Sequence, residues 1–367
     1  MKSRQSENEL SRNELSDKAV ASDSKSLAKL MLEPQSLCFP FQDSVRPEES
    51  GQGYALRMAE ENGLAGLPPL KTWLGKSRFA ALDAADAPML HRWFGADEDL
   101  LAFALGRTAT GRRDTGYAYA GQSMGRSYFL NRTYPRVCPE CLKENGHCLI
   151  AWDMSLVVAC AKHHRTLMDC CDYCQRALSW NRPRLSICSC SMEMDVLESS
   201  QTPTSLEIQF ANWVSDRVGR YSEEFRSTFQ LEVSEMTRPV GLTALMRLIW
   251  PLSLDGGFHI AYALGTAAGY DEQHLCVSRR PKTPLRKAQQ VLRMANELAE
   301  KIIRLEPVKF RVSRPSVVVQ LLAESACAQG NSADRSLAQS ILVAVMHNKN
   351  RSTLSGLTPH LAQLPLF

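Results

Sequence analysis

Cys138-Pro139-Glu140-Cys141, followed after eighteen residues by Cys160-Ala161-Lys162-His163, decides how the middle of this 367-residue chain is read. Just beyond it comes Cys171-Asp172-Tyr173-Cys174, followed after thirteen residues by Cys188-Ser189-Cys190. Two ligands separated by two residues let one tight knuckle present both donors to one metal, and a second knuckle completes a tetrahedron. The spacing therefore predicts two zinc ions. One is held by Cys138, Cys141, Cys160 and His163, the other by Cys171, Cys174, Cys188 and Cys190. Four protein ligands per ion leave no position for a catalytic water, so both sites read as structural. His163 is preferred over His164, and Cys171 over Cys170, because only the former keep the two-residue spacing. His147 and Cys148 read as bystanders. Trp152, between the knuckles, either packs over the first site or is an ordinary core tryptophan.

Other uses of these cysteines fit less well. Nine of the chain's twelve fall within 53 residues, whereas Cys38, Cys276 and Cys327 are scattered, so local clustering favours metal over a disulfide framework. A redox dithiol would be expected inside a βαβ pattern, and none surrounds these pairs. An iron–sulfur cluster accepts four thiolates but leaves His163 unexplained. A hydrolase would need an open metal position and a carboxylate base, and there is no His-Glu-x-x-His, paired-carboxylate or phosphate-cradling glycine motif. The chain is read as non-enzymatic.

Outward from the cysteines the pattern is mostly helical. Residues 1–33 are rich in Ser, Lys, Glu and Asp and read as a disordered tail. Residues 34–130 read as a helical, helix-turn-helix-like domain. It has helices over Glu48–Asn62, from Pro68-Pro69 through Leu74, across Met89–Phe94 and across Leu100–Leu105. Its Gly-, Ser- and Arg-rich end, 107–130, reads as a connector. The double zinc module with short β hairpins occupies 131–195. A C-terminal helical domain occupies 200–367, with helices over Leu206–Val218, Leu242–Leu254, Pro284–Leu305, Val317–Ala328 and Ser336–Met346. No apolar run reaches membrane-spanning length, and the N-terminus lacks the apolar stretch of a secretory signal, so a cytoplasmic protein is expected.

Net charge is only +4, but cations are concentrated. Cys276–Pro315 holds eleven basic residues against three acidic ones, and Arg107–Arg136 holds six arginines against Asp114. Each stretch is either a solvated face or a phosphate-contacting surface.

The stretch Arg136-Val137-Cys138-Pro139-Glu140-Cys141 through Gly146, then Trp152, then Cys160-Ala161-Lys162-His163, resembles the TniQ family of transposition accessory proteins. Leu167 and the later cysteine pairs continue the resemblance. So does an upstream segment, Arg46-Pro47-Glu48-Glu49-Ser50 followed by Leu56-Arg57-Met58-Ala59-Glu60-Glu61-Asn62-Gly63. Together these cover about residues 34–192. The resemblance implies a non-catalytic adaptor that links a target-recognising element to the transposon's AAA+ ATPase. In CRISPR-associated transposons that element is an RNA-guided Cascade-type complex, which such proteins join, sometimes as a homodimer. The alternative within the family is a direct, sequence-specific DNA-binding selector of the target site.

Overall fold

The structure is a computed structural model that describes residues 38–108, 117–124, 129–194, 202–218 and 284–303, with single helical positions at 242, 246, 249, 335, 339 and 343. The tail 1–33, Cys276, Cys327, the helix expected over 317–328, most of those expected over 242–254 and 336–346, and half of the basic stretch 276–315 lie outside the described residues. Among these residues the architecture is mostly helical, with seven α-helices and one small sheet.

Helix α1 is Gly51–Glu61, opened by Ser50 and closed at Asn62 before Gly63, which is left-handed at φ 74°. Helix α2, Pro68–Trp73, has proline in its first turn, where the missing N–H costs nothing. Asp83 and Asp86 form a reciprocal capping box on a short 3-10 turn, Ala84–Asp86, that leads directly into α3, Ala87–Phe94. Left-handed Gly95 ends α3, and Asp97 caps α4, Glu98–Leu105, by accepting from the Leu100 N–H at 2.8 Å. All four helices lie where the apolar spacing predicts them. Tyr54, Leu90, Trp93, Phe94 and Leu101 from these helices are fully buried together.

The expected connector contains a sheet. Strands β1 (Arg107–Thr108), β2 (Tyr117–Tyr119) and β3 (Gln122–Met124) pair antiparallel in that order. Tyr119 opposite Gln122 leaves a two-residue loop, and both of its residues have positive φ, Ala120 at 50° and Gly121 at 73°. Such loops match the right-handed twist of the strands they join. A composition rich in Gly, Ser and Arg hides so short a sheet, because three-residue strands carry almost no alternation to detect.

Beyond the sheet, α5 (Pro139–Asn145) and a 3-10 turn (Ile150–Asp153) precede the remaining cysteines. Helix α6, Ser205–Ser215, opens with a Thr204/Glu207 capping box and packs against that 3-10 turn. Helix α7, Leu285–Ile303, packs on α6, burying Ala288, Val291, Leu292 and Ala295 at the predicted spacing of three and four. Trp152 is 3% exposed inside the 3-10 turn, the position of a core tryptophan.

The helical segment and the cysteine segment share one continuous core. The Ser50 N–H donates to the Cys148 carbonyl at 2.8 Å, and the Ile150 N–H donates to the Glu48 carbonyl at 2.7 Å. Gly53 has no room for a side chain, since a Cβ there would stand 2.8 Å from Cys148 Cβ. Cys148, a bystander to the metal sites, is therefore the floor on which α1 rests. The Ser50 hydroxyl donates to Asp153 Oδ2 at 2.7 Å, and the Tyr119 hydroxyl donates to the same oxygen. Burial raises the Asp153 carboxyl to about 6, against these two hydrogen bonds, which favour its charge.

The Arg46–Ser50 segment is held by its own charges. Glu49, with a fully buried side chain, receives Arg57 in a two-pronged pair: Nε to Oε1 and Nη2 to Oε2, each at 2.8 Å. Arg57 also reaches Asp43 Oδ2 at 2.6 Å and the Ser44 carbonyl at 2.9 Å. Arg46 Nη1 donates to the Asn145 carbonyl at the end of α5 at 2.6 Å.

Candidate metal centres

The first centre is built on a helix start. Cys138 is the N-terminal cap residue of α5, Pro139 occupies its first turn, and Cys141 follows within that turn; left-handed Gly146 ends the helix. The first knuckle is thus a helix N-terminus. The opposing pair sits on a tight loop closed by the antiparallel bridge Ala159–Thr166. The Cys160 N–H donates to the Arg165 carbonyl at 2.7 Å, and the His164 N–H to the Cys160 carbonyl at 3.0 Å. The bridge Val137–Met168 holds the two halves side by side.

The second centre repeats the loop form twice. The bridges Cys170–Ala177 and Ile187–Glu193 close loops around Cys171–Cys174 and Cys188–Cys190. The Cys171 N–H donates to the Arg176 carbonyl at 2.9 Å, and the Cys188 N–H to the Met192 carbonyl at 2.9 Å. Each of the three loops turns through one residue of positive φ: His164 at 49°, Gln175 at 55° and Ser191 at 68°. The expected hairpins are thus present at their minimum, one bridge each.

The side chains converge as the spacing requires. Cys138, Cys141, Cys160 and His163 form one group and Cys171, Cys174, Cys188 and Cys190 another, the donor atoms in each group lying within 4.8 Å of one another. His164 and Cys170 are in neither group. The separations can be tested against a metal. Tetrahedral zinc with Zn–S near 2.3 Å and Zn–N near 2.0 Å places sulfurs about 3.8 Å apart and sulfur and nitrogen about 3.5 Å apart. Cys141 Sγ lies 3.5 Å from Cys160 Sγ, and His163 Nδ1 lies 3.4, 3.2 and 3.6 Å from the sulfurs of Cys138, Cys141 and Cys160. In the second centre Cys171–Cys190 and Cys174–Cys188 are 3.7 and 3.9 Å apart. These are coordination distances, far outside the 2.05 Å of a disulfide. Both groups can hold a metal ion, and their composition is compatible with zinc.

Crowding separates the thiols electrostatically. Hydrogen bonds from Cys138 and Cys141 push the Cys160 thiol down to about 2, while hydrogen bonding to Cys138 and Cys160 drives Cys141 up. In the second centre the hydrogen bond from Arg176 lowers Cys174 to about 6, while burial raises Cys188 to about 12. Four sulfurs so close cannot all ionise without a cation between them.

Sequence reasoning did not identify the residues around the ligands. His163 Nε2 lies 3.1 Å from Glu144 Oε2, and Lys162 meets the same carboxylate at 2.5 Å. A carboxylate on the outer nitrogen orients a metal-bound imidazole. Glu144 stands three residues after Cys141, on one face of α5, so the signal was helical spacing on a helix too short to notice. Glu140, one residue before Cys141, pairs with Arg165 Nε at 2.8 Å.

The arginine-dense stretch also reads differently in space. Arg136 is 1% exposed, and its Nη1 donates to the carbonyls of Ser155 and Val157 at 2.8 and 2.7 Å; burial lowers its guanidinium to about 10. Arg132 donates through Nη2 to the carbonyls of Leu82 and Leu105. These two arginines hold backbone in place, so they count against a continuous phosphate-contacting surface here. Arg112, Arg113 and Arg126 lie outside the described residues. In the second basic stretch, Arg293 pairs with buried Glu207 at 3.3 Å.

Among the described residues no helix is long and apolar enough to cross a membrane. Residues 40–167 match the TniQ family. The match spans helices α1–α5, the sheet and the whole first centre, and it ends before the second. No curated protein matches the chain significantly.

Proposed function

We propose, from the chain's membership of the TniQ family over residues 40–167, that it is a non-catalytic accessory protein of DNA transposition. It acts as an adaptor, joining a target-recognising element to the transposon's AAA+ ATPase. Both centres hold zinc as a structural ion. With Cys138, Cys141, Cys160 and His163 on one ion and Cys171, Cys174, Cys188 and Cys190 on the other, each tetrahedron is filled by protein. Zinc supplies cross-linking at these positions, and the residues around it orient the ligands: Glu144 on His163, and the bridges Ala159–Thr166 and Cys170–Ala177 on the loops. The resemblance leaves two target-recognising elements for such an adaptor: an RNA-guided Cascade-type complex, or the attachment site itself.

The family match is the observation that carries this reading. Its test is reconstitution. The purified chain should co-elute with the AAA+ ATPase encoded in the same element, and omitting it should abolish targeted insertion while leaving ATP hydrolysis by the ATPase intact. Absence of that complex, combined with tight, sequence-selective duplex binding by the isolated chain, would replace the adaptor by a direct DNA-binding selector.

A further inference from the structure

A cavity of about 210 Å³ opens between the helical segment and the second centre. Its wall carries Lys71, Arg78, Arg132 and Arg176, and no carboxylate. Lys71 is the unusual member, at 3% exposed. Its Nζ donates to the Arg78 carbonyl and to Asn181 Oδ1, each at 3.1 Å, while Asn181 Nδ2 holds the same carbonyl at 2.9 Å. These partners fix the ammonium group but do not neutralise it. Burial lowers its pKa to about 8, and the charges that add to that shift, Lys76 and Arg78, are both cations. A buried ammonium with neutral partners only, facing a cavity edged by exposed Arg78, is a seat for an anion.

The aromatic edge narrows the kind of anion. Phe79, next to Arg78, is 64% exposed, a large apolar ring left in water beside the cavity mouth, and Tyr134 lies on the same wall. Phosphate-binding cations beside an exposed ring form the recurring arrangement for a nucleotide unit, with the backbone on the cations and the base on the ring. An acidic protein segment would use the cations and leave the ring idle. Toward the second centre the cavity reaches Cys188 and Ser189, where four thiolates around a bound dication would carry net negative charge, with Arg176 beside Cys174 to offset it. The anion therefore sits at the Lys71–Arg78 end.

We infer that the Lys71–Arg78–Phe79 cavity holds one phosphate and one stacked base of a single-stranded nucleic acid. This inference does not rest on the adaptor role.

The test is fluorescence anisotropy with the full chain and labelled single strands of about eight nucleotides, one oligo-dT and one oligo-U, at several salt concentrations. Arg78→Ala should reduce the slope of log affinity against log salt by about 0.7, the share of one phosphate contact on a single strand. Phe79→Ala should weaken binding about five- to hundredfold with the slope unchanged, the mark of lost stacking. Both positions are exposed, so folding is kept. Lys71→Met, which keeps the stem, should weaken binding and lower the slope as Arg78→Ala does. Preference between the two oligomers then identifies RNA or DNA. The inference fails if neither strand binds, if Arg78→Ala and Phe79→Ala leave binding unchanged, or if inorganic phosphate or a poly-glutamate peptide competes as well as the oligomer.

Discussion

Replacing Glu49 by alanine is the sharpest probe of how the amino-terminal segment is held. The side chain of Glu49 is fully buried and that of Arg57 is 3% exposed, so the substitution strands a cation away from water. Breaking a buried pair by removing one partner costs about 3–5 kcal/mol. Arg57 retains Asp43, whose side chain is 44% exposed, and the Ser44 carbonyl, which moves the expected loss to the lower end, about 3 kcal/mol. Against a total stability of about 5–15 kcal/mol this is large. It also reaches past the pair, because Glu49 Oε2 accepts the Arg46 N–H and Arg46 in turn reaches the end of α5. The assay is denaturant unfolding followed by tryptophan fluorescence, comparing Glu49→Ala with the double variant Glu49→Leu/Arg57→Met. The double variant should recover most of the loss, since two apolar groups replace two charges. A loss below about 1 kcal/mol for Glu49→Ala, or a double variant no more stable than the single, would refute the reasoning.

Three further outcomes are expected. Elemental analysis of the purified chain should find two zinc ions, and Cys141→Ser and Cys174→Ser should each remove one while leaving the other group of four intact; a chelator should then unfold the cysteine segment, as binding at each site is worth on the order of 10 kcal/mol of folding free energy. Gly53→Ala should destabilise by about 1–3 kcal/mol in a thermal melt, because its Cβ would stand 2.8 Å from Cys148 Cβ between two packed backbones. Lys71 has a folded pKa near 8, below its ordinary value of 10.5, so the unfolded chain binds more protons between these limits and stability should rise as pH is raised from 8 to 10.5. The gain is about 3 kcal/mol, fully absent below pH 8, and Lys71→Met should abolish that slope in denaturant titrations across this range.

The two ligand sets were legible because a metal imposes spacing on the chain directly: two residues between donors is a local rule that survives without the fold. The helices at 51–61, 87–94 and 285–303 were legible for a similar reason, since their apolar residues repeat at three and four. Three things were not. Helix α5 is seven residues long and begins within the Cys138–Cys141 knuckle, so metal spacing masked it. The strands at 107–124 are too short to alternate. Arg132, Arg136 and Lys71 look in sequence like any surface cations, and only the fold shows them turned onto carbonyls or toward a cavity. Composition records how much charge a segment carries and is silent about which way it points.

The contact between Gly53 and Cys148 limits how this chain can be divided. Helix α1 takes its first hydrogen-bond partners and its floor from residues nearly a hundred positions later, so a cut after residue 130 would leave its buried face open to water. Fragments made that way should aggregate instead of reporting on either half. Exchange of segments with a relative would succeed only if the piece 40–167 moved intact, which is also the extent over which the family match runs. The structural unit here is a clasp closed by distant parts of the chain.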